Sequence, residues 1–80
     1  MRVRREAISD LLSTIRPEAN FSDSSDFIQD GLLDSFDLVM LVSSLEKTFG
    51  LSIEGKDITP ENLCSLDAIL KLLAKCGVTE

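Results

Sequence analysis

The sequence specifies an all-α protein, a small four-helix bundle with three longer helices, one short helix and a long loop between the first and second. Three features carry that expectation. Apolar residues recur at helical spacing in separate segments, capping and terminating residues bracket those segments, and no stretch alternates for long enough to build a paired strand. Leu51-Ser52-Ile53 alternates, but it is too short and has no evident partner.

The first helix is marked by Val3, Ile8, Leu11, Leu12 and Ile15, which contain an i, i+3, i+4, i+7 set with polar residues between. Pro17 disfavours helical geometry at Arg16, so this helix ends near Ile15. From Arg16 to Asp34 no period persists, and Phe21-Ser22-Asp23-Ser24-Ser25-Asp26 is polar and turn-rich. A loop of that length in a small domain has to pack its own side chains or serve a function. Phe21, Phe27, Ile28, Leu32 and Leu33 are placed to act as lids over the ends of the bundle.

The second helix starts at Asp34 or Ser35 and runs to about Phe49, with Leu38, Leu41, Val42, Leu45 and Phe49 on one stripe. At about 100° per residue, Phe36, Met40, Ser43 and Lys47 then face outward. Gly50 ends the helix in a left-handed conformation, and Leu51 folds back on its last turn. Thr59-Pro60-Glu61-Asn62 reads as an N-cap, a first-turn proline and a short third helix. Ser65 caps a fourth, in which Leu66, Ile69, Leu70 and Leu73 repeat the core spacing before Gly77 closes it.

Eighty residues make a single domain, expected over 1–80. A chain of this length buries roughly 60–65% of its unfolded surface, which leaves a thin stability margin and no room for a wide enzyme pocket. The longest apolar run is the five residues Leu38 to Val42, far short of the ~20 that a membrane span needs. With no leader-like N-terminus, the chain is expected to be cytoplasmic and monomeric. Cys64 and Cys76 lie in no metal-ligand spacing and His is absent, so neither a metal site nor a disulfide framework is expected. Both thiols are read as reduced, at core or boundary positions.

The net charge of -6 is unevenly spread: Glu18 to Glu61 holds ten acidic and two basic residues, while Arg2, Arg4 and Arg5 crowd the start. This acidic field disfavours nucleic acid and anionic membranes. It is either a solvated surface or a means of steering basic partners.

Chemistry centres on Asp30-Gly31-Leu32-Leu33-Asp34-Ser35-Phe36-Asp37-Leu38, which sets one serine at the mouth of an amphipathic helix between two aspartates. Without His the usual pairing that activates a serine cannot be built, so Ser35 is no independent hydrolytic nucleophile. Two uses remain, capping the helix or being modified by another enzyme; the helix dipole there tolerates an added phosphate charge.

Continued through Val39-Met40-Leu41-Val42-Ser43-Ser44-Leu45-Glu46-Lys47-Thr48-Phe49-Gly50, the segment resembles the attachment site of the phosphopantetheine-binding acyl and peptidyl carrier proteins, and the likeness extends over most of the chain. The resemblance implies that Ser35 bears 4'-phosphopantetheine, donated from coenzyme A by a magnesium-dependent phosphopantetheinyl transferase. It implies that Asp34 helps the transferase organise its metal and substrates. Asp57-Ile58-Thr59-Pro60-Glu61-Asn62-Leu63 resembles the loop and short helix that flank the prosthetic arm. Phe36, Asp37, Met40, Glu46 and Asp57 are then the expected partner-binding residues. The protein would be a phosphoprotein and a carrier, not an enzyme, holding an acyl or aminoacyl thioester while catalysis resides in its partners.

Phe36 stands where fatty-acid carriers usually have Leu, and Met40 and Lys47 stand where they often have Glu. The Asp-Ser-Phe form looks more like D-alanyl carriers and freestanding carriers of polyketide or nonribosomal-peptide biosynthesis, served by a loading ligase and downstream synthase or transferase enzymes. Two alternatives stand beside this reading: a housekeeping fatty-acid carrier, and an unmodified helical adaptor that uses the second helix and its acidic rim for binding.

Overall fold

A computed structural model describes residues 2–21 and 24–79. Within them α1 (Arg5–Ile15), α2 (Ser35–Phe49), α3 (Pro60–Leu63) and α4 (Leu66–Lys75) form the expected helical bundle, with a 3-10 turn at Gly55–Asp57 before α3. Ser22 and Asp23, part of the expected polar, turn-rich run, lie outside the described residues.

The periodic apolar residues account for the architecture. α1 buries Ile8 and Leu12. It packs against both α2 and α4, while α3 packs on α4. α2 contributes Leu38, Leu41, Val42, Leu45 and Phe49 to the same core, the stripe read from sequence. α4 adds Ile69, Leu70, Leu72 and Leu73. Leu66 lies only partly buried at its start, whereas Leu72 is enclosed. The spacing of α4 thus shifts its buried face towards a residue that the sequence pattern passed over.

Val3 is a second correction. It is buried but precedes the helix, and its N–H donates to the Thr79 carbonyl at 2.7 Å. A single parallel bridge, Arg2 to Thr79, joins the two ends, and no longer strand forms among the described residues. Val78 is buried beside them, so the segments around Val3 and Val78 close over the core.

The long loop is held by its aromatics. Phe21 and Phe27 meet edge to face with ring centres 5.0 Å apart, and both are buried. The Phe27 N–H donates to Cys64 O at 2.6 Å, tying the loop to the end of α3. The Phe27 carbonyl accepts from the N–H groups of Leu32 and Leu33, at 2.8 and 3.0 Å, which turns the chain towards α2. Leu33 is buried, while Ile28 and Leu32 pack partly against the core.

The ends of the helices follow their capping chemistry. Gly50 takes φ 64°, ψ 40°, and the Leu51 N–H reaches back to Glu46 O at 3.2 Å, the fold-back expected there. Ser65 Oγ accepts from the Ala68 N–H at 3.1 Å. Thr59 precedes Pro60 as expected but makes no side-chain cap; Asn62 instead donates to Asp57 O at 2.8 Å and braces the turn. Cys64 and Cys76 are free and half-buried.

Candidate functional site

The site is built at the junction where the long loop enters α2. Asp34 is the N-cap and Ser35 the first helical residue, so the Ser35 side chain stands exposed at the positive end of a 15-residue helix. A reciprocal capping box fixes this turn. Asp34 Oδ1 accepts from the Asp37 N–H at 2.9 Å, and Asp37 Oδ2 accepts from the Asp34 N–H at 3.2 Å.

Arg16, the residue just past α1, closes the arrangement from the other side. Its Nε donates to Asp37 Oδ2 at 2.9 Å, and its Nη2 and Nη1 lie 3.4 Å from Asp34 Oδ2 and Glu18 Oε1. The hydrogen bond to Asp37 raises the Arg16 pKa above its ordinary value, so the guanidinium stays charged. The Asp34 carboxyl is held below the usual range, chiefly by the Asp37 N–H and further by the Arg16 charge, against the opposing effect of partial desolvation. Asp34 Oδ1 is thereby committed to the cap, and Oδ2 faces Arg16 Nη2 at 3.4 Å on a side chain that is otherwise exposed.

The expected partner-binding residues divide into two sets. Phe36 and Met40 are exposed, at 71% and 41%, and Val39, 64% exposed, joins them in an apolar patch directly after Ser35. Val39 was missed as an outward residue although it lies three positions from Phe36, a helical neighbour. Asp37 is corrected: it is 6% exposed, and its carboxylate belongs to the capping box and to Arg16 rather than to a docking surface. Glu46 is half-buried, and its carboxylate accepts from the Ile53 N–H at 2.8 Å, which ties the end of α2 to the following loop. Asp57 sits on the 3-10 turn with Lys75 Nζ at 3.3 Å from its carboxylate. Each of these three acids therefore has an internal partner.

Among the described residues, no group of three or more His, Cys, Asp or Glu side chains is arranged to hold a metal, and no helix is long and apolar enough to cross a membrane. The site offers an accessible hydroxyl on a capped turn, next to a carboxylate that is engaged in the cap.

A family model described as the phosphopantetheine attachment site matches residues 5–72, which includes α1, the loop, α2, α3 and most of α4. The chain belongs to that family. No curated protein and no solved structure gives a match. As a phosphopantetheine-binding domain it is the attachment site for a covalent 4'-phosphopantetheine group, and such carrier domains are not themselves catalytic. They work with modifying transferases and with partner enzymes. The residues present fit the group: its attachment needs an accessible hydroxyl, and the N-terminal end of α2 favours a phosphodiester charge.

Proposed function

We propose that this protein is an acyl or aminoacyl carrier in which Ser35 bears the phosphopantetheine arm and presents a thioester to successive partner enzymes in the cytoplasm. The observation that carries the reading is the capped first turn of α2, where one exposed serine follows a fixed, ionised Asp34 within a chain matched over 5–72 to the attachment-site family. Asp34, whose side chain is exposed, is the residue that the transferase and its magnesium ion meet beside the hydroxyl. The arm's thiol supplies the thioester chemistry; this chain's residues hold the arm at one point and offer a surface for recognition.

That surface is the patch of Phe36, Val39 and Met40. Three large apolar side chains next to the attachment point suit a dedicated loading ligase that buries them, more than enzymes steered by an acidic helix. Lys47 further along α2 dilutes its negative charge in the same sense. The cargo assigned on this basis is a small carboxylic or amino acid activated with ATP, as in polyketide, nonribosomal-peptide or D-alanyl pathways.

Competitive loading of the modified protein tests the assignment. Adenylating ligases are expected to form a hydroxylamine-labile adduct, and malonyl transfer by fatty-acid enzymes is expected to be slow. Efficient malonylation and chain elongation with no loading by any ligase would leave a housekeeping fatty-acid carrier. Partner binding by the unmodified protein that modification leaves unchanged would favour the helical adaptor.

A further inference from the structure

Asp37 is the buried charged side chain of the described core. A carboxylate withdrawn from water has to be neutralised in place, or it takes up a proton or swings out to solvent. The neutralising charge comes from another element: Arg16 Nε, at the end of α1, donates to the same Oδ2 that accepts the Asp34 N–H. The other two Arg16 pairs, to Asp34 and Glu18, are longer, and their carboxylates are exposed, so they contribute little.

The geometry points to Arg16 as a positioning residue for the modification of Ser35. By neutralising Asp37 it keeps the capping box closed, and the capping box fixes the turn that presents the Ser35 hydroxyl. The inference rests on Ser35 being the attachment point. In the transfer, a bond forms from Ser35 Oγ to the phosphorus that bears pantetheine. The bond from that phosphorus to the adenosine bisphosphate portion of coenzyme A breaks, and the hydroxyl proton passes to a base on the transferase. In-line displacement demands a well-placed oxygen, and a misplacement of about 1 Å is enough to lose about 100-fold in rate. With Arg16 removed, the uncompensated Asp37 leaves the box, the first turn frays, and the hydroxyl samples positions that do not react.

A double-mutant cycle separates this role from direct contact with the transferase. Initial rates of modification are measured at saturating coenzyme A and magnesium, with the carrier concentration varied, for wild type, Arg16→Gln, Asp37→Asn and the double variant. In Asp37→Asn the side-chain carbonyl still accepts from the Asp34 N–H but buries no charge, so no buried carboxylate is left for Arg16 to neutralise. Arg16→Gln is expected to lower kcat by about 10- to 100-fold with KM unchanged. Asp37→Asn is expected to lower it far less, and the double variant to resemble Asp37→Asn. Amide hydrogen exchange on the unmodified proteins gives a readout independent of the transferase: the Asp37 N–H should exchange faster in Arg16→Gln and no faster in the double variant than in Asp37→Asn. Arg16→Lys keeps the charge without the guanidinium fork and should fall between wild type and Gln; it carries the kinetic comparison if circular dichroism shows the Gln variant unfolded. A rise in KM alone, multiplicative effects of the two substitutions, or wild-type kcat in Arg16→Gln would overturn the positioning role. A wild type left unmodified by a transferase that modifies a control carrier contradicts the Ser35 assignment instead, which is a separate result.

Discussion

Asp34 uses its two oxygens differently. Oδ1 closes the cap with the Asp37 N–H, and Oδ2 pairs with Arg16 Nη2 at 3.4 Å. Because its carboxyl is held below the ordinary range of about 4, first by that N–H and then by Arg16, the folded state binds its proton more weakly than the unfolded chain. The associated stability is fully present above the unfolded value and is lost as pH falls through the depressed folded value. Asp34→Asn, which keeps a good N-cap, should therefore flatten the acid limb of urea-unfolding stability below about pH 4. An acid limb as steep as wild type would show that Asp34 contributes nothing to it. The helix start at Asp34 and Ser35 was legible in the sequence because a cap is set by local order along the chain. The acid three positions after the cap, Asp37, carried a capping-box pattern that pointed to its true place. Its burial depends on Arg16, which stands 21 positions away across an aperiodic loop, and no local pattern announces that pairing.

At the scale of elements, two phenylalanines show what periodicity conveys and what it omits. Phe36 lies on the outward side of α2, as its phase predicts, and is exposed. Phe27 lies in a segment with no period, yet it is fully buried, stacked edge to face on Phe21, and its backbone ties the loop to Cys64 and to Leu32 and Leu33. Phe27→Ala should cost about 3–5 kcal/mol, whereas Phe36→Ala should stay within about 0.5 kcal/mol of wild type. Denaturant titration checks both, and a small effect at Phe27 would mean that the loop is not an integral part of the bundle. The helices were readable because amphipathic spacing and caps are local properties. The 3-10 turn at Gly55–Asp57 was not, since one turn of helix leaves too few residues to show a period. The pairing of Val3 with Thr79 joins opposite ends of the chain, a contact that only the closed bundle specifies.

Over the whole molecule, the segment from Glu18 to Glu61 carries a net charge of -8, while the exposed apolar side chains Phe36, Val39 and Met40 gather at the start of α2 beside Ser35. Charge of this kind acts mainly on association and its salt dependence, and a buried apolar contact acts mainly on dissociation. Removing Phe36 and Met40 together by alanine substitution should speed dissociation from a verified partner, measured by stopped-flow, while association stays near wild type. Unchanged dissociation would place the docking surface elsewhere. Charge reversal at Asp37 belongs to a different class, because it would open the cap and strand Arg16 rather than alter an outer surface.

Attachment of the arm at Ser35 is tested most directly by mass. The protein is incubated with coenzyme A, magnesium and a promiscuous phosphopantetheinyl transferase, its intact mass is recorded, and the added group is located by fragmenting the peptide that contains residue 35. Expected is a gain of one phosphopantetheine group on Ser35, with Ser35→Ala folded by circular dichroism and unmodified. A wild type that keeps its original mass beside a fully modified control carrier, or a group that persists in Ser35→Ala, would contradict it.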